Sequence, residues 1–210
     1  LGLGNFGEVW KALDQKLGNR AVAVKLLRAE HADSAEIVAR FEQEADAMAT
    51  LNHPNVVTLL GRGRFEDQPY IVMELVEGRA VDRRIEAYRV LERMPELTEV
   101  RDIFDQICAG VAAAHQVTDP GPIVHRDVKP ANVMVRRNPK GGWSVKVLDF
   151  GIAQLGARNR TLTGVRMGTL GYMAPEQALG EARRIAPWTD VFSLAVTLIE
   201  MLTLQAGVDG

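Results

Sequence analysis

The residues best suited to chemistry lie in one stretch of the chain, between His125 and Asp149. This stretch contains an acid, Asp127, and a cation, Lys129. It also contains Asn132 and Asp149, whose side-chain oxygens suit Mg²⁺. Phosphoryl transfer from a nucleotide needs such a set, because a carboxylate must orient the attacking hydroxyl and cations must neutralise the moving phosphoryl group. One Asp or Asn in a loop is usually only a cap, but the four residues together favour phosphoryl transfer.

A second candidate pair lies nearer the start of the chain. Lys25 follows the apolar run 22–24 on a predicted strand, where a Lys could simply face solvent. Glu44 falls on the apolar face of a predicted helix, next to Phe41 and Met48, where a lone carboxylate would be costly to bury. A Lys opposite Glu44 removes this cost. The sequence therefore predicts a Lys25–Glu44 ion pair that can hold the phosphates of a nucleotide.

A glycine-rich motif opens the chain, with Gly2, Gly4 and Gly7 followed by Val9. Glycines let backbone N–H groups approach phosphate oxygens because no Cβ atom is in the way. The same spacing could belong to a plain hairpin turn or to a dinucleotide-binding motif. The dinucleotide motif requires a helix after the glycines, whereas a second strand is predicted here. Alone, the motif is weak support for a phosphate loop.

The hydrophobic pattern predicts a sheet-rich part followed by a mainly helical part, with the change near Glu77. Strands are predicted over 7–12, 21–27, 56–60 and 70–76. A helix is predicted over 34–51, begun by an Asp33–Glu36 capping box. The second part is predicted to hold an amphipathic helix through 100–114, a strand pair at 133–136 and 144–148, and a helix through 191–204. That last helix is apolar nearly all round, which predicts burial.

Composition limits the partners. The 210 residues carry a net charge of -2 and have a pI near 6.1, which gives no electrostatic footprint for nucleic acid or an anionic membrane. The apolar stretch 191–204 is too short and too interrupted to span a bilayer. The single Cys108 excludes an intrachain disulfide and suits a reducing compartment. We therefore expect a cytoplasmic chain with no membrane segment and no nucleic-acid partner.

Taken in order, these motifs resemble the protein kinase superfamily. The resemblance covers nearly the whole chain and adds Gly151, the Ala174-Pro175-Glu176 motif and Asp190 to the residues above. Lys129-Pro130 and Gly168-Thr169 resemble the Ser/Thr branch of the superfamily. The run Asn52-His53-Pro54-Asn55 is similar to bacterial members of the eukaryotic-like Ser/Thr kinases.

The resemblance implies an α+β, two-lobed kinase-like fold. A small, mainly antiparallel sheet lobe with one helix would cover residues 1–76, and a larger, mainly helical and incomplete lobe would cover 77–210. The family's first strand and last helices are expected beyond the two ends, so the chain is interpreted as a fragment. Its parent could be membrane-anchored elsewhere. The implied activity is transfer of the γ-phosphoryl group of ATP to Ser or Thr hydroxyls of proteins in signal transduction, with Mg²⁺ or Mn²⁺ as the metal.

The resemblance also implies roles for individual residues. Asp127 would be the base, and Lys129 would neutralise charge on the transferred phosphoryl group. Lys25, paired with Glu44, would hold the phosphates of the nucleotide, and Asn132 and Asp149 would bind the metal. The backbone of Glu74 and Val76 would bond the adenine. Further nucleotide contacts would come from the glycines Gly2, Gly4 and Gly7 and from Leu1, Val9, Ala23, Met134 and the gatekeeper Met73.

Regulation is implied as well. Thr161 and Thr163 lie where relatives are phosphorylated, and Arg126 resembles the Arg that receives such a phosphate. Thr169 resembles a substrate-pocket Thr that bonds Asp127 and Lys129. Autophosphorylation is therefore expected, and a dimer would serve it.

Two alternatives stay open. A catalytically inactive, kinase-like binding module survives because of the expected truncation, although Lys25, Asp127, Asn132 and Asp149 are all present. A small-molecule phosphotransferase of related fold is disfavoured, because the 168–169 and 174–176 motifs suit peptide substrates.

Overall fold

The computed structural model describes residues 2–3, 7–119, 121–150 and 171–206. The chain divides into two compact units. Unit 1 comprises Leu1–Asn52 and Val57–Val76, and unit 2 comprises His53–Val56 and Glu77–Gly210. Residues 53–56 therefore leave unit 1 and join unit 2 before the chain returns to unit 1.

Unit 1 is built on a five-stranded antiparallel sheet with the strand order β1-β2-β3-β5-β4. Its strands are β1 (Gly2–Leu3), β2 (Gly7–Asp14), β3 (Arg20–Leu27), β4 (Leu59–Phe65) and β5 (Gln68–Glu74). Two helices, α1 (Ala29–Ala32) and α2 (Ala35–Ala49), follow β3. The core side of α2 carries Phe41, Glu44, Ala45 and Met48.

Two details of unit 1 correct the sequence-based predictions. The N-cap of α2 is Ser34, whose side chain accepts a hydrogen bond from the Ile37 N–H at 3.4 Å, so the Asp33–Glu36 capping box is wrong. The strand predicted over 56–60 is displaced to Leu59–Phe65. Its first residue, Val56, instead forms an isolated bridge to Val147 in unit 2, where it is buried.

Unit 2 contains a three-stranded antiparallel sheet and four α-helices among its described residues. The strands are β6 (Arg79–Ala80), β7 (Val133–Arg137) and β8 (Trp143–Val147), in that order. The helices are α3 (Val81–Val90), α4 (Leu97–His115), α5 (Pro175–Ala178) and α6 (Pro187–Thr203). The helix α4 packs against β8 and α6.

The 53–56 segment is fastened to unit 2 mainly through Asn55. The Asn55 side-chain amide donates to the Gln106 side chain and to the Val145 carbonyl, both at 3.0 Å. The backbone carbonyl of Asn55 accepts from the Val147 N–H at 2.8 Å. On α4, a Cβ added at Gly110 would lie 2.9 Å from that same carbonyl. Glycine at this position therefore allows the segment to approach the helix closely.

The helix α6 contradicts the prediction of burial all round. Its buried face is largely polar and carries Thr189, Asp190, Ser193, Thr197 and Glu200. Its exposed side carries large apolar residues, namely Trp188, Val191, Phe192, Ile199 and Leu202. Most of the buried polar groups are satisfied by hydrogen bonds, such as that from the Ser193 hydroxyl to the Tyr172 carbonyl at 2.8 Å. Within the described part of the chain, no helix is both long and apolar enough to cross a membrane.

Candidate active site

Strand β3 and helix α2 place Lys25 and Glu44 in direct contact in unit 1. The Lys25 Nζ atom donates to Glu44 Oε1 at 2.6 Å, and the two side chains are 12% and 4% exposed. Both side chains are thus largely withdrawn from water. A carboxylate on the buried face of α2 is tolerated because this cation offsets the cost of removing its charge from solvent.

The next group surrounds Asp127 in unit 2. The Lys129 Nζ atom lies 2.9 and 2.8 Å from the two carboxylate oxygens of Asp127. The Asn132 side-chain amide donates to Asp127 Oδ2 and to the Asp127 carbonyl, each at 2.8 Å. The short 3₁₀ helix Pro130–Asn132 reverses the direction of the chain, so that the side chains of Lys129 and Asn132 both contact that of Asp127.

Asp149 lies beside Asn132 because of a backbone contact. The Leu148 N–H donates to the Asn132 carbonyl at 2.8 Å, just after β8 ends. Asp149 follows with a φ of 47°, a left-handed conformation that redirects the chain. The structure therefore brings the two predicted metal ligands to neighbouring positions.

The donor set fits Mg²⁺. Both Asn132 amide hydrogens are directed at Asp127, which leaves the Asn132 side-chain oxygen as the atom available to a cation. The Asp149 carboxylate is a second hard oxygen ligand. Among the described residues, no group of three or more His, Cys, Asp or Glu side chains is arranged so that it could hold a metal ion. A magnesium ion held by Asn132 and Asp149 would thus take its other ligands from phosphates and water.

The backbone before Asp127 is held by a buried carboxylate on α6. Asp190, which is fully buried, accepts from the His125 N–H and the Arg126 N–H, each at 2.8 Å. The same carboxylate lies 2.7 Å from the His115 Nε2 atom of α4. Arg126 adopts a φ of 67°, a conformation that residues with a side chain rarely adopt.

The guanidinium of Arg126 is partly buried and lacks hydrogen-bond partners for two of its nitrogen atoms, Nε and Nη1, among the described residues. Burial lowers the pKa of the Arg126 guanidinium, and the nearby Asp190 carboxylate partly opposes this shift. Arg126 is the predicted receiver of a phosphate. The predicted phosphorylation sites Thr161 and Thr163, and the pocket residue Thr169, lie outside the described residues.

The predicted nucleotide-contact residues are divided between the units. In unit 1, Ala23 pairs with Met73 across β3 and β5, and both are buried. The Glu74 N–H donates to the Thr58 carbonyl at 3.0 Å, so an adenine contact by Glu74 would fall to its carbonyl.

The other residues predicted to contact the nucleotide lie on or next to strands of the two units, where they fall within the described residues. Val9 pairs with Gly2 on one side and with Lys25 on the other, Gly7 begins β2, and Val76 follows β5. Met134 lies on β7 in unit 2. Leu1 and Gly4 lie outside the described residues, as does Gly151.

Two residues with polar contacts in unit 2 were given no site role from the sequence. Gln177 of α5 donates from its side-chain amide to the Arg126 carbonyl at 2.9 Å. A Gln three residues after a helix N-cap is a known capping signal, which could have drawn attention to it. Glu200 of α6, 5% exposed, bonds the Tyr172 hydroxyl and lies 3.1 Å from the Arg89 guanidinium. Burial and this bond raise the pKa of the Tyr172 phenol.

Comparisons with known proteins identify the family of the chain. The family model described as protein kinase domain matches residues 1–208. The chain is 37% identical to a probable serine/threonine-protein kinase, PknB, of Lactococcus lactis, over 100% of this chain and 31% of that protein. PrkC of Bacillus subtilis is also 37% identical, over 100% of this chain and 30% of its own length. PknA of Mycobacterium tuberculosis is 39% identical, over 95% of this chain and 44% of its own length.

The fold comparison leads to the same family. A crystal structure of the PknI kinase domain of Mycobacterium tuberculosis matches with a TM-score of 0.74 at 26% identity, over 100% of this chain and 72% of that chain. A double mutant of that domain matches with a TM-score of 0.76. The predicted fold class and the predicted resemblance to bacterial Ser/Thr kinases are confirmed. The chain spans less than half the length of the curated relatives named above.

Proposed function

The chain belongs to the protein kinase family, and on that premise we propose that the protein transfers the γ-phosphoryl group of ATP to Ser or Thr hydroxyls of other proteins. The observation that carries this proposal is the cluster of Asp127, Lys129 and Asn132, with Asp149 adjacent through the Leu148–Asn132 backbone bond. An acid, a cation and an amide at hydrogen-bond distance, with a carboxylate on the residue after Leu148, suit phosphoryl transfer.

Asp127 is the group that would orient the substrate. Its carboxylate would accept a hydrogen bond from the attacking hydroxyl and take its proton as the new P–O bond forms and the bond between the γ-phosphorus and the bridging oxygen breaks, with ADP as the leaving group. Lys129 lies beside that carboxylate and would neutralise charge on the transferred phosphoryl group. Asn132 holds Asp127 in place through its amide hydrogens. A substrate contact from Thr169 would complete this pocket.

Asn132 and Asp149 would hold Mg²⁺, or Mn²⁺ in its place. The metal ion supplies positive charge at the phosphate oxygens when it is bound. Lys25, fixed by Glu44, would contact the phosphates of the nucleotide under the glycines Gly2, Gly4 and Gly7. The adenine would lie against Leu1, Val9, Ala23, Met73 and Met134 and bond the backbone of Glu74 and Val76.

Activation would follow phosphorylation of Thr161, Thr163 or both. The Nε and Nη1 atoms of Arg126, which have no hydrogen-bond partner among the described residues, support this proposal, because a phosphate would supply strong acceptors for them. Transfer between two copies of the protein would accomplish it, so a transient dimer is proposed. Phosphopeptide mapping of active protein that finds neither threonine modified would exclude this mechanism.

The metal role is tested by Asp149→Asn in the full-length protein. We expect the rate of transfer from ATP to a protein substrate to fall by about 10²–10³-fold, as is typical when one preorganised electrostatic partner is lost. The matched control is Asp105→Asn, because Asp105 is 68% exposed on α4 and forms a surface ion pair with Arg101 at 3.5 Å.

The outcomes separate the alternatives. Full activity in Asp149→Asn would refute the metal role of Asp149. Wild-type protein that binds nucleotide without transferring phosphate would favour the catalytically inactive binding module. Cys108 is half-buried and is the single cysteine of the sequence, which suits the cytoplasm as the location of the catalytic part.

A further inference from the structure

We propose that Gln177 is a positioning residue for Asp127, acting through the peptide bond between Arg126 and Asp127. This role rests on the proposed function, in which Asp127 orients the substrate hydroxyl. Gln177 belongs to α5, which is 50 residues away from Asp127 along the chain. No motif of the sequence singled it out for a role in catalysis.

The peptide bond before Asp127 is held at both of its polar ends. Its carbonyl, which belongs to Arg126, accepts from the Gln177 side-chain amide at 2.9 Å. Its N–H, which belongs to Asp127, donates to the His125 Nδ1 atom at 3.2 Å. Because a peptide group is planar, two bonds on opposite edges fix its rotation. They thereby fix the direction in which the Asp127 side chain leaves the backbone.

Arg126 needs support on both sides because of its conformation. A φ of 67° places it in the left-handed region, which residues with a Cβ rarely adopt. The Arg126 N–H is held by Asp190 at 2.8 Å, and its carbonyl is held by Gln177. Helix α6 thus secures one side of the residue and helix α5 secures the other.

The orientation of the Gln177 amide follows from its second contact. Its Oε1 atom accepts from the Ala174 N–H at 3.3 Å, at the start of α5. The NH₂ group therefore faces the Arg126 carbonyl. A residue that only capped α5 would need the oxygen and not the NH₂ group, and this difference makes the two roles separable by mutation.

Gln177→Glu is the decisive variant. Glu keeps an oxygen for the Ala174 N–H and is a favoured residue at this helix position, so α5 stays capped. It has no donor for the Arg126 carbonyl and sets a carboxylate against it. We expect kcat to fall about 10-fold, the order expected for one lost hydrogen bond, while KM for ATP changes less than about 2-fold. The melting temperature should stay close to that of the wild type.

The matched control is Gln68→Glu in unit 1. Gln68 also donates to a backbone carbonyl, that of Leu27 at 3.4 Å, but lies outside the proposed site. We expect its kcat and KM to equal those of the wild type. Amide hydrogen exchange gives a second readout, because exchange at the Asp127 N–H should accelerate in Gln177→Glu and stay unchanged in Gln68→Glu.

A Gln177→Glu protein with wild-type kcat and unchanged exchange at Asp127 would overturn the inference and leave the proposed function intact. Wild-type protein without transfer activity would instead overturn the proposed function. In that case the exchange comparison would still decide whether Gln177 holds this peptide bond.

Discussion

At the residue scale, the Lys25–Glu44 pair shows how a charged residue on the apolar face of a helix predicts an ion-pair partner. Glu44 is 4% exposed on the apolar face of α2, where a carboxylate needs a cation or a hydrogen-bond donor. That requirement was visible in the helix pattern alone, and Lys25 was the cation on the neighbouring strand. The pair is therefore derivable from the residues without knowledge of the fold.

Variants of Lys25 and Glu44 should affect the stability of the protein and its transfer activity differently. We expect Lys25→Met to lower the free energy of unfolding by about 3 kcal/mol, because Glu44 loses the cation that offsets its burial. The double variant Lys25→Met/Glu44→Leu should recover most of this loss, since no charge is left to bury. Neither variant should transfer phosphate. Urea unfolding and a transfer assay check the two parts.

Equal stability of the single and double variants would contradict this account of the pair.

Gln177 is a residue whose contact was not predictable from the sequence. Its polar side chain is unremarkable in sequence, and its contact with the Arg126 carbonyl depends on how α5 lies in unit 2. Such a contact exists only once the fold is formed, so residue types and spacing do not reveal it.

At the element scale, the main errors concern α6 and β4. Hydrophobicity predicts which face of a helix is buried when the buried face is apolar. In α6 the buried face is polar, because Asp190 and Glu200 bind groups of several other elements. In β4 the apolar run 56–60 is divided, since Val56 joins unit 2. Periodicity does not encode either arrangement, whereas it does predict the stripe of α4, with Ile103, Ile107 and Val111 buried.

The contact between α6 and Tyr172 should give the protein a defined response to alkali. The pKa of the Tyr172 phenol is raised by burial and by its bond to Glu200. A raised pKa in the folded state contributes stability below the unfolded value of about 10, and this contribution is lost as the pH rises above that value. Above about pH 10 the unfolded chain releases the proton while the folded chain retains it.

We therefore expect wild-type stability to fall more steeply than that of Tyr172→Phe between about pH 10 and 11, by at most about 1.4 kcal/mol per pH unit. The measurement is denaturant unfolding of both proteins at pH 8, 10 and 11. Parallel pH profiles would show that the phenol is not protected in the folded state.

At the scale of the whole molecule, the proposed site requires contributions from both units. Lys25 and the glycine motif belong to unit 1, whereas Asp127, Asn132 and Asp149 belong to unit 2. The motifs predict both sets in the correct order along the chain. Their meeting around one nucleotide stays a prediction, since it depends on the arrangement of the units and not on local pattern.

Nucleotide binding tests that meeting. We expect ATP with Mg²⁺ at about 100 times its Kd to stabilise the wild-type protein by about 2.7 kcal/mol. Lys25→Met and Asp149→Asn should each lose most of this stabilisation, although the two residues belong to different units. The control Lys140→Met replaces an exposed Lys and should keep it. Thermal shift measurements with and without nucleotide are sufficient. If either site variant kept the full thermal shift, Lys25 and Asp149 would not bind the same nucleotide.

The detour of residues 53–56 has a consequence for how such proteins can be recombined. Any segment that supplies both stretches of unit 1 also carries Asn55, whose hydrogen-bond partners Gln106 and Val145 lie in unit 2. A chimera joined once, after Val76, would therefore combine the Asn55 of one parent with the helix and strand of another. Exchange of unit 1 between homologues should therefore succeed only when residues 106 and 145 of the recipient can accept hydrogen bonds from the residue at position 55 of the donor.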